Sequence, residues 1–263
     1  MILKRKIYKK LLEWKKECRG KKALLIEGAR RIGKSTICEE FGKSEYKSFL
    51  LIDFAKKDKE VEGYFEKYLN DLDTFFMLLQ THFGTKLTER NSLIIFDEVQ
   101  MFPQARAAIK YLVADGRYDY IETGSLISIR ENVKNIVIPS EERHINMYPL
   151  DFEEFAIALE EDLLVEYIKK CFEKREPLER SMHNQAMLLF HQYMLVGGMP
   201  MPVVTFIESK KDFTEADREK RDILKLYRED IMKIDAKYRS KVLAIYDQIP
   251  GFLSQHEKRV VFK

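Results

Sequence analysis

Apolar residues along the first 150 positions of the chain alternate between two rhythms. Short, nearly unbroken apolar runs stand at Ala23–Ile26, Ser48–Asp53, Ser92–Asp97, Tyr118–Thr123 and Ile145–Tyr148, as expected of strands covered on both faces. Between them the spacing widens to three and four. Ile7, Leu11 and Trp14 share one helical face, Ile37 and Phe41 another. Phe65, Tyr68, Leu69 and Leu72 lead into Phe75, Leu78, Leu79 and His82 in the same way. Pro103 is placed to begin a helix whose buried side is Ile109, Leu112 and Val113 and which Gly116 stops. Strands alternating with helices predict a parallel sheet with helices on both faces.

From Asp151 the strand rhythm is gone. Phe152, Phe155, Leu159, Leu163, Leu164 and Ile168 recur at helical intervals, as do Met187, Leu188, His191, Met194 and Leu195. Gly197-Gly198-Met199-Pro200-Met201-Pro202 is a sharp break. A charged helix with Ile223, Tyr227, Ile231 and Ile234 on one side follows, and another runs from Tyr238 to Ile249, ending before Pro250. The expected organisation is an α/β core over residues 1–150 and a helical region over residues 151–263. Val260-Val261-Phe262-Lys263 reads as the opening of a strand with nothing to pair against, as in a truncated chain.

Composition narrows the classes. The chain is 45% hydrophobic and 34% charged with a net charge of +3, which suits a globular protein and is too mild for nucleic-acid binding by the whole molecule. Residues 1–22 are the exception, with ten Lys and Arg against Glu13 and Glu17. That segment reads either as a polyanion-binding patch or as the solvated face of the first helix. Three cysteines without metal-ligand spacing suit reduced thiols in a cytoplasmic protein. The five histidines form no H-x-x-x-H pair, which argues against zinc. The basic start is followed by no apolar leader segment, and no stretch approaches the roughly 20 apolar residues of a membrane span.

The chemistry is concentrated in Gly28-Ala29-Arg30-Arg31-Ile32-Gly33-Lys34-Ser35-Thr36, a complete G-x-x-x-x-G-K-[ST] phosphate-binding loop between a predicted strand and a predicted helix. Glycines let backbone N–H groups turn inward, and the helix N-terminus adds partial positive charge. Lys34 is expected to reach the β and γ phosphates of ATP, and the Ser35 hydroxyl to ligate Mg²⁺. Arg30 and Arg31 either contact phosphate or a partner's acids, or lie exposed; exposure is favoured for at least one. Leu93-Ile94-Ile95-Phe96-Asp97-Glu98 places two acids at the end of a strand. Asp97 suits a Mg²⁺ site held largely through water, and Glu98 suits a general base for the attacking water. Thr123-Gly124-Ser125 ends the next strand and offers hydroxyls beside the γ phosphate.

These segments, with Ile95-Phe-Asp-Glu-Val-Gln100, Tyr148-Pro-Leu-Asp-Phe-Glu-Glu-Phe155 and Gly197-Gly-Met-Pro200, occur in an order that resembles the prokaryotic AAA+ ATPases with paired arginines in the P-loop. They are similar to the archaeal ATPase group. The resemblance spans nearly the whole chain. It implies a P-loop AAA+ sheet of order 5-1-4-3-2, ATP binding and hydrolysis, and the Walker roles for Lys34, Ser35, Asp97 and Glu98. It gives the sensor role to Ser125, or less readily Thr123. It also implies assembly into a homo-oligomer, with Arg143 as the candidate finger acting on a neighbouring subunit. Against that stands a surface Arg143 paired with Glu141 or Glu142, and the family's usual C-terminal domain is missing here.

Three functions compete: an ATPase switch or remodelling motor, a nucleotide-gated DNA- or protein-interaction module with little turnover, and a P-loop small-molecule kinase. Adjacent acids at positions 97 and 98 favour water activation over the kinase. The target stays open between DNA, a protein client and a toxin-like partner.

Overall fold

The computed structural model describes residues 1–125 and 140–254. The opening strand read at Val260–Lys263 lies outside them. The described elements run α1 (Ile7–Cys18), β1 (Ala23–Glu27), α2 (Lys34–Glu45), β2 (Ser48–Asp53), α3 (Lys59–Tyr68), α4 (Leu72–Phe83), β3 (Ser92–Asp97), α5 (Pro103–Asp115), β4 (Asp119–Gly124) and β5 (Glu142–Asn146). Helices α6 (Phe152–Ala158), α7 (Asp162–Lys174), α8 (Arg180–Val196), α9 (Pro200–Glu208), α10 (Phe213–Ile231) and α11 (Ala236–Ser254) follow.

The strands pair in parallel in the order β2-β3-β4-β1-β5. This is the expected AAA+ sequence of strands, 5-1-4-3-2, counted from the other edge. Side chains alternate across the sheet, and each face has its own core. Leu24, Ile26, Leu93, Ile95 and Ile121 meet Ile7, Leu11 and Trp14 of α1 and Ile37 and Phe41 of α2. Leu25, Leu50, Ile52, Ile94 and Phe96 meet Phe65 of α3, Phe75 and Leu79 of α4 and Ile109 and Leu112 of α5. Both layers hold the C-terminal ends of β1 and β3 at the same edge of the parallel sheet, on either side of β4, where ligands of open α/β sheets bind.

Two elements depart from their sequence expectation. The fifth strand spans Glu142–Asn146 rather than beginning at Ile145. It is an edge strand bonded only to β1, so polar Glu142, Arg143 and His144 serve as well as an apolar run. The last helix continues through Pro250 to Ser254. Pro250 is exposed there, so water can satisfy the carbonyl it leaves without a helical donor.

The chain divides into two compact units, Met1–Val204 and Thr205–Lys263. In the second, Arg228 pairs with Asp247 at 2.7 Å and Tyr246 donates to the Leu224 carbonyl at 3.2 Å, tying α10 to α11. No single helix among the described residues is long and apolar enough to cross a membrane. Cys18, Cys38 and Cys171 are free thiols.

Candidate functional site

The phosphate loop leaves the C-terminal end of β1 and re-enters the fold as α2. A Cβ on Gly28 would stand 2.3 Å from the Met147 carbonyl oxygen, so only glycine lets the chain turn there. Gly33 caps α2 at φ +89°, a left-handed conformation that costs a side chain-bearing residue energy. Arg31 also takes a positive φ, +65°, and is exposed, whereas Arg30 is half-buried. Ile32 turns inward and is fully buried, anchoring the loop's apex.

Lys34 opens α2 and is 5% exposed. Its ammonium donates to the carbonyls of Gly28 at 3.1 Å and Ala29 at 2.8 Å, so it lies inside the loop's curve. Burial lowers its pKa below the usual lysine value, while the charges of Glu98 and Asp97 oppose that shift. The two acids therefore share the electrostatics of the loop. The next residue, Ser35, donates from its hydroxyl to Asp97 Oδ1 at 2.8 Å.

Asp97 ends β3 and is 8% exposed. The Thr123 hydroxyl at the end of β4 also donates to its Oδ1, and the Glu98 amide points at the Thr123 oxygen at 3.4 Å. Glu98 itself adopts φ +53° just past the strand, and its carboxylate accepts from Gln100 Nε2. Ser125 follows the last residue of β4. Lys34, Ser35, Asp97, Glu98 and Thr123 are thus brought together. Arg143 is not: it lies within β5, opposite Leu24 at the start of β1, with Nη1 2.7 Å from Glu17 Oε2.

The donor set suits a nucleoside triphosphate with Mg²⁺. A hydroxyl and a carboxylate in direct contact are hard oxygen ligands of the kind Mg²⁺ takes. Gly28 packs directly against the Met147 carbonyl, which sets the turn of the loop, and the N-terminus of α2 that follows carries the partial positive charge that favours a phosphate. Among the described residues there is no cluster of three His, Cys, Asp or Glu side chains able to hold a metal by themselves.

An AAA domain profile matches residues 20–156, just over half of the chain. The chain belongs to the AAA domain family. Membership of this family supports an ATP-binding, ATPase-type function. No curated protein matches it in sequence. Among solved structures it is similar to C. elegans PCH-2, with 12% identity and a TM-score of 0.41 over 82% of this chain and 65% of that one. It is also similar to Aeropyrum pernix ORC1 in complex with DNA, at 10% identity and 0.37 over 74% and 68%. A Pyrococcus horikoshii STAND protein with a tetratricopeptide repeat sensor aligns at 17% identity and 0.41 over 86% of this chain but 34% of its own. The AAA chain therefore spans less than two thirds of PCH-2 and about a third of the STAND protein.

One part of the site is missed by sequence reasoning. An apolar cavity of about 300 Å³ opens beside Gly33, lined by Met1, Ile2, Leu3, Ile37, Pro200 and Met201. Its signals were the apolar Met1-Ile2-Leu3 ahead of a basic run and the Gly197–Pro202 break. Leu150 N donates to the Gly198 carbonyl at 2.6 Å, which docks that break onto the core.

Proposed function

We propose that the protein binds MgATP in the Gly28–Thr36 loop and hydrolyses it, each cycle switching the conformation of the molecule. The observation that carries this reading is the 2.8 Å contact between Ser35 and Asp97 beside a buried Lys34. Lys34 neutralises the β and γ phosphates, and the cavity beside Gly33 takes the base. Ser35 and Asp97 hold Mg²⁺, which when bound offsets charge on the phosphates. Glu98 accepts the proton of the attacking water, with the hydroxyl of Thr123 or Ser125 orienting it. Arg143 acts as a finger on a neighbouring copy.

At the finer level we assign the chain to the prokaryotic AAA+ group with paired arginines in the loop. Residues 1–150 form its ATPase core, residues 151–263 its helical region, and the cytoplasm its compartment. DNA or a protein client is the target. The contact between Gln100 and Glu98 favours a second reading, a nucleotide-gated interaction module in which the base is held back and turnover is slight.

Phosphate release from MgATP tests the assignment. Glu98→Gln should bind MgATP normally yet lose turnover by about a hundredfold or more, and chelating Mg²⁺ should stop release. Unchanged release in Glu98→Gln removes Glu98 from the base role.

A further inference from the structure

We infer that Arg5 is the positioning residue that ties the phosphate loop to the first helix beyond the sheet, so that nucleotide in the loop is felt at α6. The inference rests on the nucleotide reading above. Arg5 stands just before α1 in the basic N-terminal run, yet its side chain is 6% exposed. Three segments far apart in sequence converge on its guanidinium. Nη1 donates to the Ile32 carbonyl at 2.9 Å and Nη2 to the Tyr148 carbonyl at 2.6 Å. Nε lies 3.3 Å from Glu154 Oε1, an ion pair without aligned hydrogen-bond geometry.

The contact with Ile32 has a direct consequence for the loop. The Ile32 carbonyl and the Gly33 N–H belong to one planar trans peptide and point in opposite directions. Holding the carbonyl toward Arg5 therefore aims the Gly33 N–H away from it, fixing one donor of the phosphate cradle. A lysine at position 5 supplies one point charge. Only the planar guanidinium reaches two carbonyls and a carboxylate together.

The other end of the contact is α6. Glu154 closes a capping box with Asp151: Glu154 N donates to Asp151 Oδ1 at 2.9 Å, and Asp151 N to Glu154 Oε2 at 3.2 Å. The Lys6 amide donates to the other oxygen, Oε1, at 2.6 Å. Glu154 is 8% exposed by side chain, so its charge is costly unless Arg5 stays beside it. Phe152 then packs edge-on, and Phe155 tilted, against Tyr193 of α8, with centroids 5.9 and 5.4 Å away. A shift of the loop peptide thus reaches the cap of α6, and through it α8, by way of one buried ion pair.

Amide hydrogen exchange of the full chain, with and without MgATP, separates this role from a purely structural one. In the wild type MgATP should slow exchange both in the loop and across Phe152–Ala158. Arg5→Lys keeps a charge beside Glu154 but cannot hold both carbonyls. It should bind MgATP roughly tenfold more weakly, and at saturation the protection should persist in the loop and vanish at Phe152–Ala158. Glu154→Gln, which keeps the side-chain shape, should give the same split. Protection at Phe152–Ala158 that follows MgATP in both variants as in the wild type, or is absent in the wild type, overturns the inference alone. A wild type that binds no MgATP overturns the nucleotide reading and this inference with it.

Discussion

Thr123 and Ser125 stand two residues apart at the end of β4, and the fold gives them different company. The Thr123 hydroxyl is buried on Asp97 Oδ1, and the Glu98 amide points at its oxygen. Ser125 is the first residue past the strand. The family resemblance puts Ser125 ahead of Thr123 as the sensor. Which hydroxyl faces Asp97 depends on how β4 registers against its neighbours, and a sequence does not state register. Thr123→Val should therefore reduce phosphate release by roughly tenfold or more, with Ser125→Ala costing less; the reverse ranking contradicts the geometric assignment. Lys34 and Ser35 were legible because a phosphate loop needs its glycines, lysine and hydroxyl at fixed spacing, and Asp97 and Glu98 because two acids end an apolar run. Arg5 was not: in a run of lysines and arginines nothing distinguishes the one that folds inward.

Elements show the same division between local pattern and context. Strands β1 to β4 announced themselves as apolar runs because both faces are covered. The edge strand β5 was legible only from Ile145 onward, since its first half is polar and Glu142 there is held by a buried charge group. Arg106 of α5 binds Glu142 of β5 through two hydrogen bonds, at 3.1 and 2.8 Å. Glu122 of β4 lies fully buried nearby with neither oxygen aligned to a donor. Burial first, and the charge of Glu142 second, push its pKa well above the usual 4.5 for a glutamate, with Arg106 opposing. The folded state thus binds a proton that the unfolded chain releases near pH 4.5. Stability carries no penalty from this group below that pH, and then falls as pH rises until the buried carboxyl itself ionises. Glu122→Gln, neutral at every pH, should flatten the decline in melting temperature as pH rises above 4.5. An equally steep decline in the variant would show that Glu122 is not its source.

At the scale of the molecule, the proposed cycle needs a nucleotide site within one copy and a finger reaching in from the next. Arg143 makes an exposed ion pair with Glu17, an interaction worth little to folding. Arg143→Ala should leave the melting temperature nearly unchanged and lower turnover only at protein concentrations where light scattering shows assembly. Full activity in an assembled Arg143→Ala protein removes the finger. The order of motifs along the chain carried the AAA architecture, because the first three, at Gly28–Thr36, Asp97–Glu98 and Thr123–Ser125, each lie at the end of one strand of the sheet. The cavity beside Gly33 was hidden, since it joins Met1–Leu3 to Pro200 and Met201 across nearly the full length of the first unit. Calorimetric titration of MgATP into the wild type and Lys34→Ala tests the central claim most directly. A lysine–phosphate contact near 4 Å at an effective dielectric of about 20 is worth roughly 4 kcal/mol, so the variant should bind close to a thousandfold more weakly. Equal affinity in the two proteins would contradict the account.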